Sequence, residues 1–173
     1  AKNLIKVMQN EVSGLRWFIN QDAPDQVEWR RVAVLCLKKT RDNLFKYAKR
    51  KGLDFKTLGC TVNLALFSNQ TILSAHIGDG RACYKDISGE WKPLITPFKG
   101  EEAGSTVFIT TDWCWEYQDE CIETRIVKSD VKAVVLLSDG MESYSFVYYV
   151  KDEKGNFSDP NQPFEPFLNA NVN

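Results

Sequence analysis

The chain reads as an α+β fold in which helices come first and antiparallel strands follow, with the helices laid on a sheet or sandwich. Three observations carry that reading. Residues 1–55 repeat their apolar side chains at helical spacing. Residues 57–140 repeat them at a spacing of two, and Gly, Asn, Asp and Ser turns separate the runs. Residues 151–173 form a polar, turn-rich tail with Gly155, Pro160, Pro163 and Pro166. Phe157, Phe164 and Phe167 are its candidate anchors. A length of 173 residues fits one domain, and 43% hydrophobic content is enough to fill its core.

Residues 2–20 offer a short amphipathic helix through Leu4, Ile5, Met8, Val12 and Leu15, weakened at Gly14. A longer helix follows. Val27, Val34, Leu37, Leu44 and Ala48 recur at spacings of seven, three, seven and four, which stacks them on one face. Asp22 is its expected N-cap, Pro24 falls in its first turn, and Gly52 is its expected C-cap. Its C-terminal half is basic, from Lys38 to Lys51. Such cations suit the negative end of the helix dipole and a solvated face; a phosphate- or partner-binding patch is the other reading.

Strands follow. Residues 60–67 alternate with Val62, Leu64 and Leu66 on one side, Ser68-Asn69-Gln70 turns the chain, and residues 71–77 return with Leu73, Ala75 and Ile77 on one side. The pair reads as a hairpin. Residues 81–85, 90–95, 106–110, 122–127 and 131–137 are the remaining strand candidates, and the loop 96–105 carries Pro97, Gly100 and Gly104.

Composition removes several function classes. Basic and acidic residues balance at 22 against 23, so no nucleic-acid partner is expected. No apolar run approaches the length that spans a membrane, and the first residues show no signal-peptide pattern. Five cysteines with no CxxC spacing read as reduced thiols in a cytoplasmic protein. A single histidine, His76, excludes zinc sites built from several imidazoles and leaves carboxylates and hard cations as the tools of any catalysis.

Two places share one design. An apolar strand runs into Gly78-Asp79-Gly80, and another runs into Ser138-Asp139-Gly140. A carboxylate at a rigid strand end is well placed to hold Mg²⁺ or Mn²⁺, and the glycines allow a sharp turn. If the two strands are neighbours, Asp79 and Asp139 share an ion. Ordinary Asp-Gly turns are the bland alternative. His76 shares a strand face with Ile72 and Ser74, where it either orients a carboxylate or water or is a satisfied histidine. Ser138 and Thr61 have no visible base and are not nucleophiles. Residues 112–117 are acidic and aromatic, serving as a binding loop or as cover over the core.

In this order the motifs resemble the metal-dependent protein serine/threonine phosphatases of the protein phosphatase 2C type, bacterial branch. The pieces are Gly59-Cys60-Thr61, then His76-Ile77-Gly78-Asp79-Gly80-Arg81, then Leu136-Leu137-Ser138-Asp139-Gly140-Met141. Gly100-Glu101 with residues 106–110 is similar to a bacterial variant of the intervening region. The resemblance implies two antiparallel sheets between helices, in α-β-β-α layers, with aspartates at one end holding two or three Mn²⁺ or Mg²⁺ ions. It implies attack of a metal-activated water on a phosphoserine or phosphothreonine of a phosphoprotein. By position Asp139 is a ligand of the core ion pair and Asp79 of a third ion; Gly59, Thr61, Gly78, Gly80, Ser138 and Gly140 shape the site. The family's first acidic strand, its Asp-Gly-x-Gly motif and its closing Asp-Asn or Asp-Asp motif have no counterpart here. The sequence therefore reads as an internal piece of such a domain, incomplete at both ends, or as a divergent member. A non-catalytic pseudophosphatase or regulatory module on the same scaffold is the alternative. An unrelated α+β interaction domain is the third. The oligomeric state is not set by the sequence.

Overall fold

The computed structural model describes residues 1–19, 22–68, 70–98, 105–147, 150, 151, 154 and 157–172. The α+β class holds, with antiparallel pairing throughout the strands described.

The leading helical segment is two helices, α1 (Lys2–Val12) and α2 (Arg16–Ile19), because the chain breaks at Ser13-Gly14. The long helix is α3 (Gln26–Lys51). Its N-cap is Asp25 and not Asp22: the Asp25 carboxylate accepts the Glu28 amide at 2.8 Å, and Pro24 lies before the helix. Such a cap stabilises by about 1 kcal/mol. Gly52 ends it as expected, at φ 63°. The buried stripe is Trp29, Val32, Ala33, Cys36, Leu37 and Thr40. Val27, expected on that face, is 79% exposed. The stripe begins at Trp29, whose indole N–H donates to the Ser74 carbonyl at 2.8 Å and docks the helix on the sheet.

Two three-stranded sheets follow. The first has the order β1 (Val62–Phe67), β2 (Thr71–Ile77), β5 (Ile122–Lys128). The second has the order β4 (Trp91–Pro93), β3 (Arg81–Asp86), β6 (Val131–Leu137). The hairpin forms in the expected register, Val62 opposite Ile77. The segment 106–110 is not a strand: Val107 and Ile109 are buried, but the Ile109 amide bonds to the Cys60 carbonyl and no strand lies beside it. Gly100 and Glu101, part of the family likeness, lie outside the described residues.

Short helices α4 (Trp113–Glu116) and α5 (Gln118–Cys121) precede β5. Residues 112–117 divide between the two expected roles. Cys114 is buried and the Trp115 indole N–H donates to the Ile109 carbonyl, whereas Trp113 and Tyr117 are exposed. After β6 come α6 (Glu142–Ser145), β7 (Phe146–Val147), β8 (Val150–Lys151), β9 (Phe157–Ser158), β10 (Gln162–Pro163) and α7 (Glu165–Asn171). The described residues of the tail thus hold short strands and a helix, and Gly155 lies outside them. The tail's anchor is Leu168, with Phe167 half-buried against the same cluster; Phe157 and Phe164 are exposed.

β2 is buried on both faces, and its packing partners alternate with the strand period. Leu73, Ala75 and Ile77 of β2 pack with α1 and α3, while Ile72 packs with Ala82, Tyr84, Leu94 and Ile95 between the sheets. Cys83 and Trp91, on the outer face of the second sheet, pack with Phe146 and Leu168. The layers are therefore helix, sheet, sheet, helix. No described helix is long and apolar enough to cross a membrane.

Candidate functional site

The strands that precede the two aspartates, β2 and β6, belong to different sheets, so the condition that they be neighbours is not met directly. It arises one strand later. The chain crosses from the first sheet to the second at Gly78-Asp79-Gly80 and enters β3, which pairs with β6. The ladder ends with Arg81 opposite Leu137, leaving both Asp-Gly turns at the same end of the sandwich.

The crossing is tight. Gly78 sits at φ 106°, a region open to glycine, and its carbonyl accepts the Phe98 amide at 2.7 Å. A Cβ there would lie 2.4 Å from Thr61 Cγ2, so Thr61 is the floor of the turn. Gly59 is shaped by Thr110 Oγ1 and the Lys56 carbonyl, each 3.2 Å from where its Cβ would stand. The second turn is open. Gly140 has nothing nearer than 4.0 Å, and Ser138, Asp139 and Gly140 are exposed.

Asp79 is half-buried and makes no hydrogen bond or ion pair with the described residues. Asp139 Oδ1 accepts the Gly140 amide at 2.8 Å and has no cationic partner among them. Carboxylates unspent on protein cations are the hard oxygen donors that Mn²⁺ and Mg²⁺ take. In kind they fit such an ion. In number they are two, since no group of three or more His, Cys, Asp or Glu converges among the described residues. An ion held by one or two carboxylates completes its shell with water.

Residues without an assigned role brace this end. Arg81 is fully buried. Its guanidinium donates to Glu142 Oε1 and Asp159 Oδ2, reaches Asn161 Oδ1 at 2.6 Å, and stacks 5.1 Å from the Phe146 ring centre. Arg81 thus ties the strand after Asp79 to the helix after Asp139 and to the tail. An arginine at the head of a buried strand signals carboxylate partners, but not which ones. Asn63 of β1 donates from Nδ2 to the carbonyls of Leu137 at 2.8 Å and Arg81 at 3.3 Å.

His76 is neither the satisfied histidine nor a carboxylate's partner. It is 2% exposed, and its Nε2 has no hydrogen-bond partner among the described residues. Burial pushes the imidazole down to about 4.

The family model described as protein phosphatase 2C matches residues 4–172. The chain belongs to the protein phosphatase 2C family. Crystal structures of bacterial serine phosphatases are similar to this phosphatase 2C chain. A bacterial serine phosphatase bearing an arginine-to-alanine mutation has 19% identity and a TM-score of 0.49, covering 81% of this chain and 57% of its own. A further bacterial serine phosphatase structure has 18% identity and a TM-score of 0.45, covering 86% of this chain and 63% of its own. This chain therefore spans about six-tenths of the length of those proteins. No curated protein matches it.

Proposed function

We propose that this phosphatase 2C domain hydrolyses phosphoserine and phosphothreonine in phosphoproteins, with Asp139 and Asp79 holding Mn²⁺ or Mg²⁺. The observation that carries the reading is the arrival of two carboxylates, free of cations among the described residues, at one end of the sandwich. The ion, when bound, supplies positive charge for the phosphoryl oxygens and a water of lowered pKa. The chain's own contribution is placement. Gly140 N–H orients Asp139 through Oδ1. Thr61 and Gly78 fix the crossing that carries Asp79. Gly59, Gly80 and Ser138 complete the shape of that end. Five free thiols, four of them buried, suit a reducing cytoplasm.

A non-catalytic reading on the same scaffold has one observation in its favour: the described residues bring no third metal-binding side chain to the aspartates. Hydrolysis of p-nitrophenyl phosphate and of a phosphothreonine peptide, with and without Mn²⁺, separates the two. The catalytic reading expects Mn²⁺-dependent turnover that drops at least about a hundredfold in Asp139→Asn, with the fold unchanged because Asp139 is exposed. Equal turnover in Asp139→Asn overturns the role of Asp139. No turnover with either substrate favours the non-catalytic module.

A further inference from the structure

We propose that Asn63 is a positioning residue that sets the separation of the two aspartate turns. The inference rests on the reading above that Asp79 and Asp139 share an ion. Asn63 belongs to the first sheet, yet both carbonyls it holds belong to the second. One carbonyl is that of Arg81, the residue after Gly80. The other is that of Leu137, the residue before Ser138. A side-chain amide has two donor hydrogens, and this one divides them between the two turns that carry the aspartates. A single group therefore grips the root of each turn.

The identity of Gly80 supports the pairing. Gly80 is not among the glycines with positive φ, so its backbone does not call for glycine. Space does. A Cβ at position 80 would lie 3.0 Å from Asn63 Oδ1 and 2.5 Å from Asn63 Nδ2, the latter closer than real Cβ contacts. Residues 63 and 80 are fitted to each other. The Asn63 Oδ1 atom is buried and has no partner among the described residues, so the amide bears a desolvation cost to keep its two donors in place. A side chain there for packing alone would be apolar.

The test is a double-mutant cycle joined to an ion titration on the 173-residue chain. Gly80→Ala should lower the Tm when Asn63 is present and change it little in an Asn63→Ala background, because the obstructing amide is gone. Equal Tm losses in the two backgrounds overturn the fit. If Asn63→Ala does not fold, Asn63→Ser, which is shorter and keeps one donor, takes its place in the cycle. Asn63→Leu keeps the branched shape and removes both donors. In that variant the amides of Asp79, Gly80, Asp139 and Gly140 should exchange hydrogen faster than in the parent. Mn²⁺ binding, read by electron paramagnetic resonance of the free ion, should weaken by about tenfold or more, as for other groups that orient ligands. Unchanged exchange in both turns overturns the clamp. Unchanged Mn²⁺ affinity overturns its bearing on the site. Absence of Mn²⁺ binding by the parent chain counts against the shared ion, while the cycle and the exchange still decide whether Asn63 grips both turns.

Discussion

Gly78-Asp79-Gly80 and Ser138-Asp139-Gly140 are nearly the same local sequence after nearly the same kind of strand, and they fold into opposite situations. The first is a crossing between sheets. It is walled by Thr61 and Asn63, and Gly78 takes a left-handed backbone. The second is exposed, opens into a single 3₁₀ turn, and is steadied from behind by Glu142 on Arg81. The difference teaches that an Asp-Gly dipeptide does not carry its own role. The crossing is held by contact, so its glycines are required by neighbours. The open turn is held by an ion pair two residues on, so its glycine is dispensable to the fold.

The largest break in that comparison comes from Arg81, whose buried guanidinium links the strand after the first turn to the helix after the second. Arg81→Met removes the guanidinium that Glu142 and Asp159 share. Loss of one partner from a buried charge cluster costs about 3–5 kcal/mol. Urea unfolding should show a loss of that size, and a loss below about 1 kcal/mol would remove Arg81 as the brace. Next in size is the pair of glycines. Gly78→Ala meets both the backbone region and the Thr61 side chain, and should cost about 2–4 kcal/mol. Gly140→Ala meets open space and should stay within about 0.5 kcal/mol. Equal effects at the two positions would erase the distinction between the crossing and the open turn.

The last effect sharpens the crossing alone and concerns His76, three residues upstream of Asp79. Its folded-state pKa is lowered by burial from 6.5 to about 4. Between those values the unfolded chain binds a proton that the folded chain refuses. Stability from this group is therefore full above about pH 6.5 and falls as the pH drops toward 4. The slope is about 1.4 kcal/mol per pH unit. His76→Gln lacks this titration, so the stability difference between the parent and His76→Gln should shift by about that amount from pH 6 to pH 5. A constant difference would mean that the imidazole is not shielded from water.

Much of the fold was legible because it is written in local periods. The hairpin of β1 and β2 announces itself by alternation around a polar turn, and α3 by its apolar stripe and Gly52. Misreadings arose where two local signals competed or a partner was needed. Asp22 and Asp25 both precede the helix, and only the carboxylate after Pro24 reaches the Glu28 amide. Val107 and Ile109 alternate like a strand, but a strand also needs a neighbour, and theirs is a loop. In the site, each aspartate could be found from the apolar run before it. Their convergence could not, because it depends on β3 pairing with a strand about fifty residues later. The partners of Arg81 lie 61 and 78 positions away and leave no local mark. Asn63 was hidden for another reason: a polar residue on a half-buried strand reads as the wet side, whereas it faces the ends of the second sheet.

The distribution of thiols has a practical side. Cys36, Cys83, Cys114 and Cys121 are buried, and burial pushes the Cys36, Cys83 and Cys114 thiols up to about 11, 12 and 12. Thiols in that state resist alkylation. Cys60 alone is exposed, between Gly59 and Thr61 and one residue from the wall of the crossing. A maleimide reagent applied to the folded molecule therefore has one address, at the aspartate end. The chain comes with its own attachment point for a fluorine or nitroxide probe, and line broadening by a paramagnetic ion would report occupancy there without any engineered residue.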